Sequence, residues 1–262
     1  MLDPQQAAAL INIGIQQGEY PTHVCKYREF DQYTESLFRD HQLWFSVAKK
    51  FNDPFDCQIQ DQGNYTKAEI INYLRQRVGM SPDAAAQMAD RDDRDPQFFW
   101  SELEKVKSTV LGSKGILSLS TKPMDILMWS HYTNSHEGFV LGFEILKDIQ
   151  FFSVPLHVKY NQDYPAYKYL TEPDKIVTHG LLTKSKFWEY EGEIRVIKNQ
   201  QGLHTFAKAC LVEIILGCRI EQANKDRIFQ YLKNYDYGHT KVYQATPSAS
   251  KYELEVQQIS IP

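Results

Sequence analysis

Hydrophobic positions along this chain change period several times, and the changes mark its elements. From Pro4 to Gln17, Ala, Leu and Ile recur at helical spacing, and Gly18 supplies a stop. His23–Glu29 (HVCKYRE) alternates as a strand does, Tyr33–Arg39 predicts a turn or two of helix, and Gln42–Val47 (QLWFSV) predicts an aromatic strand. Asn52-Asp53-Pro54 then signals a turn, because Asx side chains bond their own backbone and proline presets φ. Lys67–Val110 reads as three helices: one through Ile70, Ile71, Leu74 and Val78, one after Ser81-Pro82, and one over Phe98–Leu111. The charged run Asp90–Asp95 reads as a solvated linker between the last two.

Beyond this, Gly115–Glu144 reads as strand, short helix, polar loop and strand. Phe151–Tyr160 is expected as an edge strand containing Pro155, Tyr164–Tyr169 as a loop, and Lys175–Leu182 as a helix. Strands are expected at Phe187–Lys198, Cys210–Leu216, Lys241–Ala245 and Tyr252–Ile259, with a helix over Gln222–Asn234. Strands interleaved unevenly with helices predict an α+β fold, a mixed or antiparallel sheet core in a single domain over 1–262, with a helical insertion at about 66–112.

Composition narrows the function classes. The net charge of −4 gives no global pull toward nucleic acid, although a local basic patch remains open. No run of about 18 apolar residues is present, and the N-terminus lacks a basic segment before its apolar patch, so neither a membrane span nor a signal peptide is expected. Four scattered cysteines, with no CxxC pair, suit a reducing cytoplasm rather than a zinc site or disulfide framework. With 16 Tyr and 14 Phe, the aromatic content serves either a β core or stacking surfaces for a flat ring.

Candidate chemistry collects at strand ends. Lys26, Tyr27 and Arg28 lie on the first strand, Ser118, Ser120 and Thr121 on a central one, and Glu189, Glu191 and Glu193 enter a late one. Alternation places Glu191, Glu193 and Arg195 on one face, where the two carboxylates need a cationic or hydroxyl partner. An ion pair of Glu193 with Arg195 or Lys26 is one outcome. Asn52, Asp53 and Asp56 either build a tight connection or supply polar groups to a pocket. Trp129 is a core anchor or a stacking platform. His131 and His136 are five residues apart, off the spacing of a helical zinc pair, and no metal is expected.

Five segments together resemble one family: KYR (Lys26–Arg28), FNDPFD (Phe51–Asp56), LSLS (Leu117–Ser120), MWSHYTNSHEGFVLGFE (Met128–Glu144) and KFWEYEGEIR (Lys186–Arg195). They are similar to the bacterial and phage "domain of unknown function 2971" family, whose name implies no activity. A second resemblance is to ADP-ribosyltransferases, which carry an Arg or His on a first strand, a Ser-Thr-Ser segment on a second and Glu-x-Glu on a later one. Arg28, Ser118-Leu119-Ser120-Thr121 and Glu191-Gly192-Glu193 follow that order, departing from it at Leu119.

That second resemblance implies NAD as substrate, ADP-ribosyl transfer or NAD glycohydrolysis, and a place in conflict between bacteria and phage. It implies that Glu193 stabilises an oxocarbenium-like state, Glu191 aids the acceptor, and Arg28 clamps a phosphate or the carboxamide. Ser118 and Ser120 would hold the ribose, Trp129 or Tyr132 would stack on nicotinamide, and Tyr27, His131, Asn52 and Asp53 would complete the pocket. The partners expected are a small nucleotide and an acceptor of unspecified kind, with no membrane. Two other readings stay open: a metal-dependent nuclease or hydrolase using Asp53, Asp56, Glu191 and Glu193, and a binding module without catalysis.

Overall fold

The computed structural model describes residues 4–61, 63–94 and 96–262. In chain order it contains α1 (Pro4–Gln16), β1 (His23–Arg28), α2 (Thr34–Asp40), β2 (Gln42–Phe45), β3 (Gln60–Asp61), α3 (Lys67–Gln76), α4 (Pro82–Arg94) and α5 (Pro96–Ser113). There follow β4 (Gly115–Ser120), α6 (Ile126–Tyr132), β5 (Phe139–Glu144), α7 (Ile149–Phe152), β6 (Leu156–His157), β7 (Lys159–Asn161), β8 (Ala166–Tyr167), α8 (Lys175–Gly180) and β9 (Thr183–Ser185). The chain ends with β10 (Glu193–Lys198), β11 (Gly202–Thr205), β12 (Leu211–Leu216), α9 (Gln222–Asn234), β13 (Lys241–Pro247) and β14 (Leu254–Ile259). The fold class is α+β, as expected.

The chain forms two compact units. The first comprises 1–45, 116–158 and 187–262, the second 46–115 and 159–186. An eight-stranded sheet in the order β14-β13-β12-β5-β1-β4-β10-β6 dominates the first unit. β1 pairs antiparallel with β5 along its whole length, from His23 opposite Glu144 to Arg28 opposite Phe139. Its ladder to β4 holds one matched pair, Cys25 opposite Ser120. Past that pair, the Lys26 ammonium donates to the Ser118 carbonyl at 2.9 Å, so a side chain bridges the two strands.

Strand alternation divides the first unit's core between the sheet faces. One face buries Val24, Leu117, Leu119, Leu141, Phe143, Ile194 and Ile214 in the main cluster, together with Phe38, Phe206 and Phe229. The opposite face carries Cys25, Tyr27, Val140, Ile215 and Ala245, and there α6 docks with Met128 and Trp129. Asp125 caps α6 by accepting from the amides of Leu127 and Met128, both at 3.0 Å.

The second unit has its own core, in which Ile70, Leu74, Ala85 and Ala89 pack with Tyr167, Tyr169, Leu170 and Ile176. Thr66 and Glu69 form a capping box at the start of α3. The helices expected at about 66–112 all lie in this unit.

Several expected elements are corrected. The run 90–94 belongs to α4 rather than a linker, and Asp95 lies outside the described residues. In place of a continuous strand over 151–160, Asp148 caps α7 through the Phe151 amide, and strand structure resumes only after Pro155, as β6. Ala166–Tyr167 is a short strand rather than loop, pairing in parallel with β3. β11, which pairs with β2, had no signal beyond a short run around polar His204.

Candidate functional site

The residues nominated on β1, α6 and the entry to β10 meet at one end of the first unit. A cavity of about 430 Å³ opens there, lined by Lys26, Tyr27, Arg28, His131, Tyr132 and Asn134 among others. That volume suits a small-molecule ligand. Lys26 and Arg28 bring two cations to it. Arg28 pairs with Asp31 at 3.2 Å, and its Nε is buried with no hydrogen-bond partner, a donor left over for something else.

Lys26 is the perturbed cation of the site. Burial, then the neighbouring Arg28 charge, lowers its pKa from 10.5 to about 8, while Glu193 and Glu191 pull the other way. The sequence motif KYR contains Lys26, but the resemblance to ADP-ribosyltransferases directs attention only to the arginine two residues on.

The carboxylates occupy different settings. Glu191 is 3% exposed and accepts a 2.6 Å hydrogen bond from the hydroxyl of Tyr132, which itself lines the cavity. Glu193, also buried, receives two donors of Arg195 at 2.8 and 3.1 Å, the parallel geometry of a carboxylate–guanidinium fork. Glu191 and Glu193 do not share the face of one strand as expected. Glu191 closes a 3₁₀ turn over Lys186–Glu191, and Gly192, at φ +52, breaks the alternation before β10 begins.

Both serines act through the backbone of this corner. The Ser120 hydroxyl, buried, donates to the Glu191 carbonyl and accepts from the Lys122 amide at 2.9 Å. Ser118 contributes its carbonyl to Lys26. Tyr27 donates its hydroxyl to the Lys122 carbonyl, and burial pushes its pKa well above the usual tyrosine value. Ser120 and Tyr27 therefore position the strands, and the ribose-holding role expected of Ser120 is corrected because its hydroxyl is already used.

Trp129 is wholly buried, edge-on to Tyr27 at 5.6 Å, with its indole N–H bonded to the Pro123 carbonyl at 3.0 Å. It is a core anchor and not a stacking platform. The accessible aromatic surface belongs to its neighbours: the His131 ring lies 6.3 Å from Tyr132, 6.3 Å from Trp188 and 6.5 Å from Tyr190. Trp188 and Tyr190 were missed as site residues, although FWEYEGE displays them beside the glutamates. His136 stacks on Trp129 with an 8° interplanar angle, and burial lowers its pKa.

The loop after α6 has an unusual backbone. Asn134, Ser135 and His136 are successive non-glycine residues at φ 50, 57 and 70. The Thr133 carbonyl accepts from the Glu137 and Gly138 amides at 3.0 and 2.8 Å, and Asn134 bonds Glu137 at 2.7 Å. Gly138 then passes so close to β1 that an added Cβ would sit 2.1 Å from the Arg28 carbonyl. The polar loop is thus clamped against the end of β1, with Asn134 and Ser135 on the cavity wall.

Asn52 and Asp53 belong to the second unit. The Asp53 carboxylate accepts from the Phe55 amide at 2.9 Å, closing the predicted Asx turn, while its other oxygen is buried with no hydrogen-bond partner. Asp56 meets Lys184 of the same unit at 3.7 Å, both side chains buried. Among the described residues no group of three or more His, Cys, Asp or Glu is arranged to hold a metal ion, and no helix is long and apolar enough to cross a membrane.

An eight-stranded α+β sheet with a cationic, aromatic-rimmed cavity at the end of its first strand defines the architecture. Residues 128–196, which hold most of α6, the left-handed loop and the Glu191 corner, match the family model described as protein of unknown function (DUF2971), the family that the five sequence segments resemble. No curated protein and no solved structure matches the chain.

Proposed function

We propose that the first unit binds NAD in the cavity at the end of β1 and breaks its nicotinamide glycosidic bond, passing ADP-ribose to water or to a nucleophile on another molecule. The observation that carries this reading is adjacency: β1, β4 and β10 are neighbours in the sheet and bring Arg28, Ser118–Ser120 and Glu193 together, with Glu191 on the 3₁₀ turn that leads into β10. Motifs 90 residues apart gain chemical meaning only when the fold makes them neighbours.

In this reading Arg28 and Lys26 hold the pyrophosphate, Arg28 through its spare buried N–H. His131, Tyr132, Trp188 and Tyr190 offer ring faces to the nicotinamide or adenine. The C1′–N bond breaks with its electron pair leaving on nicotinamide, and the acceptor oxygen bonds to C1′ and releases a proton. A carboxylate beside the ribose stabilises the positive charge that develops and takes that proton. We assign this role to Glu191, because the hydroxyl of Tyr132 connects it to the cavity.

The test is incubation with NAD, following free nicotinamide by chromatography. Wild-type protein is expected to release it, and Glu191→Gln to slow release by about 100-fold or more with an unchanged far-ultraviolet circular dichroism spectrum. Absence of release by the wild type, alone and with a cell extract as acceptor source, or an unimpaired Glu191→Gln, would sink the reading.

A further inference from the structure

A second cavity of about 450 Å³ lies elsewhere in the first unit, bounded by the end of α2, α7, β10 and β11. Its lining includes His41, Phe151, Lys198, His204 and Phe206 together with Asp148. None of these residues belongs to the NAD site proposed above.

Three features give this cavity a sign. The Lys198 ammonium donates to the Gln150 carbonyl at 2.8 Å and the Ser153 hydroxyl at 3.1 Å, both neutral. Among the described residues no ion pair joins it to a carboxylate. Burial lowers its pKa, and the Asp148 charge opposes that shift only in part. Asp148, the acid of the cavity, is spent on the backbone, one oxygen accepting from the Phe151 amide at 3.0 Å and the other from the Ala207 amide at 2.6 Å.

The histidines add to this. His41 ends α2 in the left-handed conformation, at φ 41, a position that glycine or asparagine usually fills. Its ring stands edge-on to Phe206 at 6.2 Å, and among the described residues its buried Nδ1 has no hydrogen-bond partner. His204 packs 4.6 Å from Phe45 and uses its Nε2 on the Gln200 carbonyl. Lys198 caps the end of α7 beside the Ser153 amide, which donates to the Ile149 carbonyl at 2.8 Å. An unpaired imidazole nitrogen and a strained backbone at the same cavity are left unexplained by that role.

We infer that this cavity is a binding site for a small phosphate-bearing molecule, its phosphate held by Lys198 and His41. Lysine serves as a point charge and the imidazole as a directional donor, the pairing that a compact tetrahedral anion takes up. The carbon part of such a ligand meets the edges of Phe151 and Phe206. Occupancy would satisfy the buried His41 nitrogen and complete the coordination of the ammonium.

Calorimetric titration at pH 7 with inorganic phosphate, ribose 5-phosphate and ribose tests this. Both phosphates are expected to bind with Kd tighter than about 1 mM and ribose not at all, with the ester tighter than the free ion if the carbon part contributes. Lys198→Met is expected to weaken binding at least about tenfold, Lys198→Arg to restore it, and His41→Asn, which tolerates the left-handed backbone, to weaken it while the protein stays folded. Arg28→Gln is the control for the first cavity and should leave this binding intact. Absence of phosphate binding, binding unaltered by Lys198→Met and His41→Asn, or binding lost only in Arg28→Gln would each overturn the inference.

Discussion

At the scale of single residues, the first unit separates groups that hold charge for the fold from groups that can spend it. Arg195 is completely buried and Glu193 nearly so, and their fork spans two residues of one strand. Removing the carboxylate charge leaves a buried guanidinium undercompensated, so Glu193→Gln is expected to lose about 3–5 kcal/mol of stability; equal urea midpoints for variant and wild type would contradict this. Lys26 has the opposite balance. Below pH 8 its ammonium is charged in folded and unfolded chains alike, and burying it costs most. Between pH 8 and 10.5 the folded chain has released a proton that the unfolded chain keeps, so this residue's contribution to stability rises with pH. Lys26→Met is therefore expected to be stabilised relative to wild type most strongly near pH 7, with the gap narrowing toward pH 10.5 in urea titrations. A gap independent of pH would mean that Lys26 is not desolvated. The pattern of residues pointed to Arg28, Tyr132 and the glutamates as neighbours, yet it could not rank Glu191 over Glu193. That ranking depends on Gly192 turning the chain, and glycine's left-handed freedom leaves no periodic trace.

At the scale of elements, legibility followed burial. β1 was readable from its alternation, β5 and β12 as short apolar runs buried on both faces, and α9 because Ile228 and Leu232 recur on one face. Elements held by caps and local hydrogen bonds were not. α7 exists through Asp148, the 3₁₀ turn before Gly192 has no apolar period, and β11 is a partner for β2 with alternate positions exposed. The loop over Asn134–His136 is the sharpest case, since the tripeptide Asn-Ser-His signals one left-handed residue at its asparagine and not three in succession. Its conformation is imposed from outside, by Gly138 against Arg28 and by the Arg219 amide, which donates to the His136 carbonyl at 3.1 Å. Ser135→Val should thus cost about 1–2 kcal/mol, the penalty for a branched side chain where φ is positive. Thermal unfolding of Ser135→Val beside Ser135→Gly measures it, and identical midpoints for the two would show that the loop relaxes.

At the scale of the whole molecule, the eight-stranded sheet ends in unlike edges. β6 is two residues long and follows Pro155, whereas β14 presents a six-residue border with Glu255, Gln257 and Gln258 exposed. Short length guards one border and polar side chains the other against pairing with further strands. Between them, the strand made first by the ribosome occupies the interior. β1 is complete at residue 28, yet its neighbours β4 and β5 begin at residues 115 and 139. The chain must therefore carry β1 with both ladders vacant for roughly 5 to 20 s of synthesis at about 5–20 residues per second. α1, α2 and β2 are the elements of its own unit already made when β4 begins. The sheet closes by insertion rather than by growth from one end, and such distant pairings make for slow folding. The end of β1 that forms the cationic cavity thus waits about 100 residues of chain for its facing wall, Ser130–Ser135.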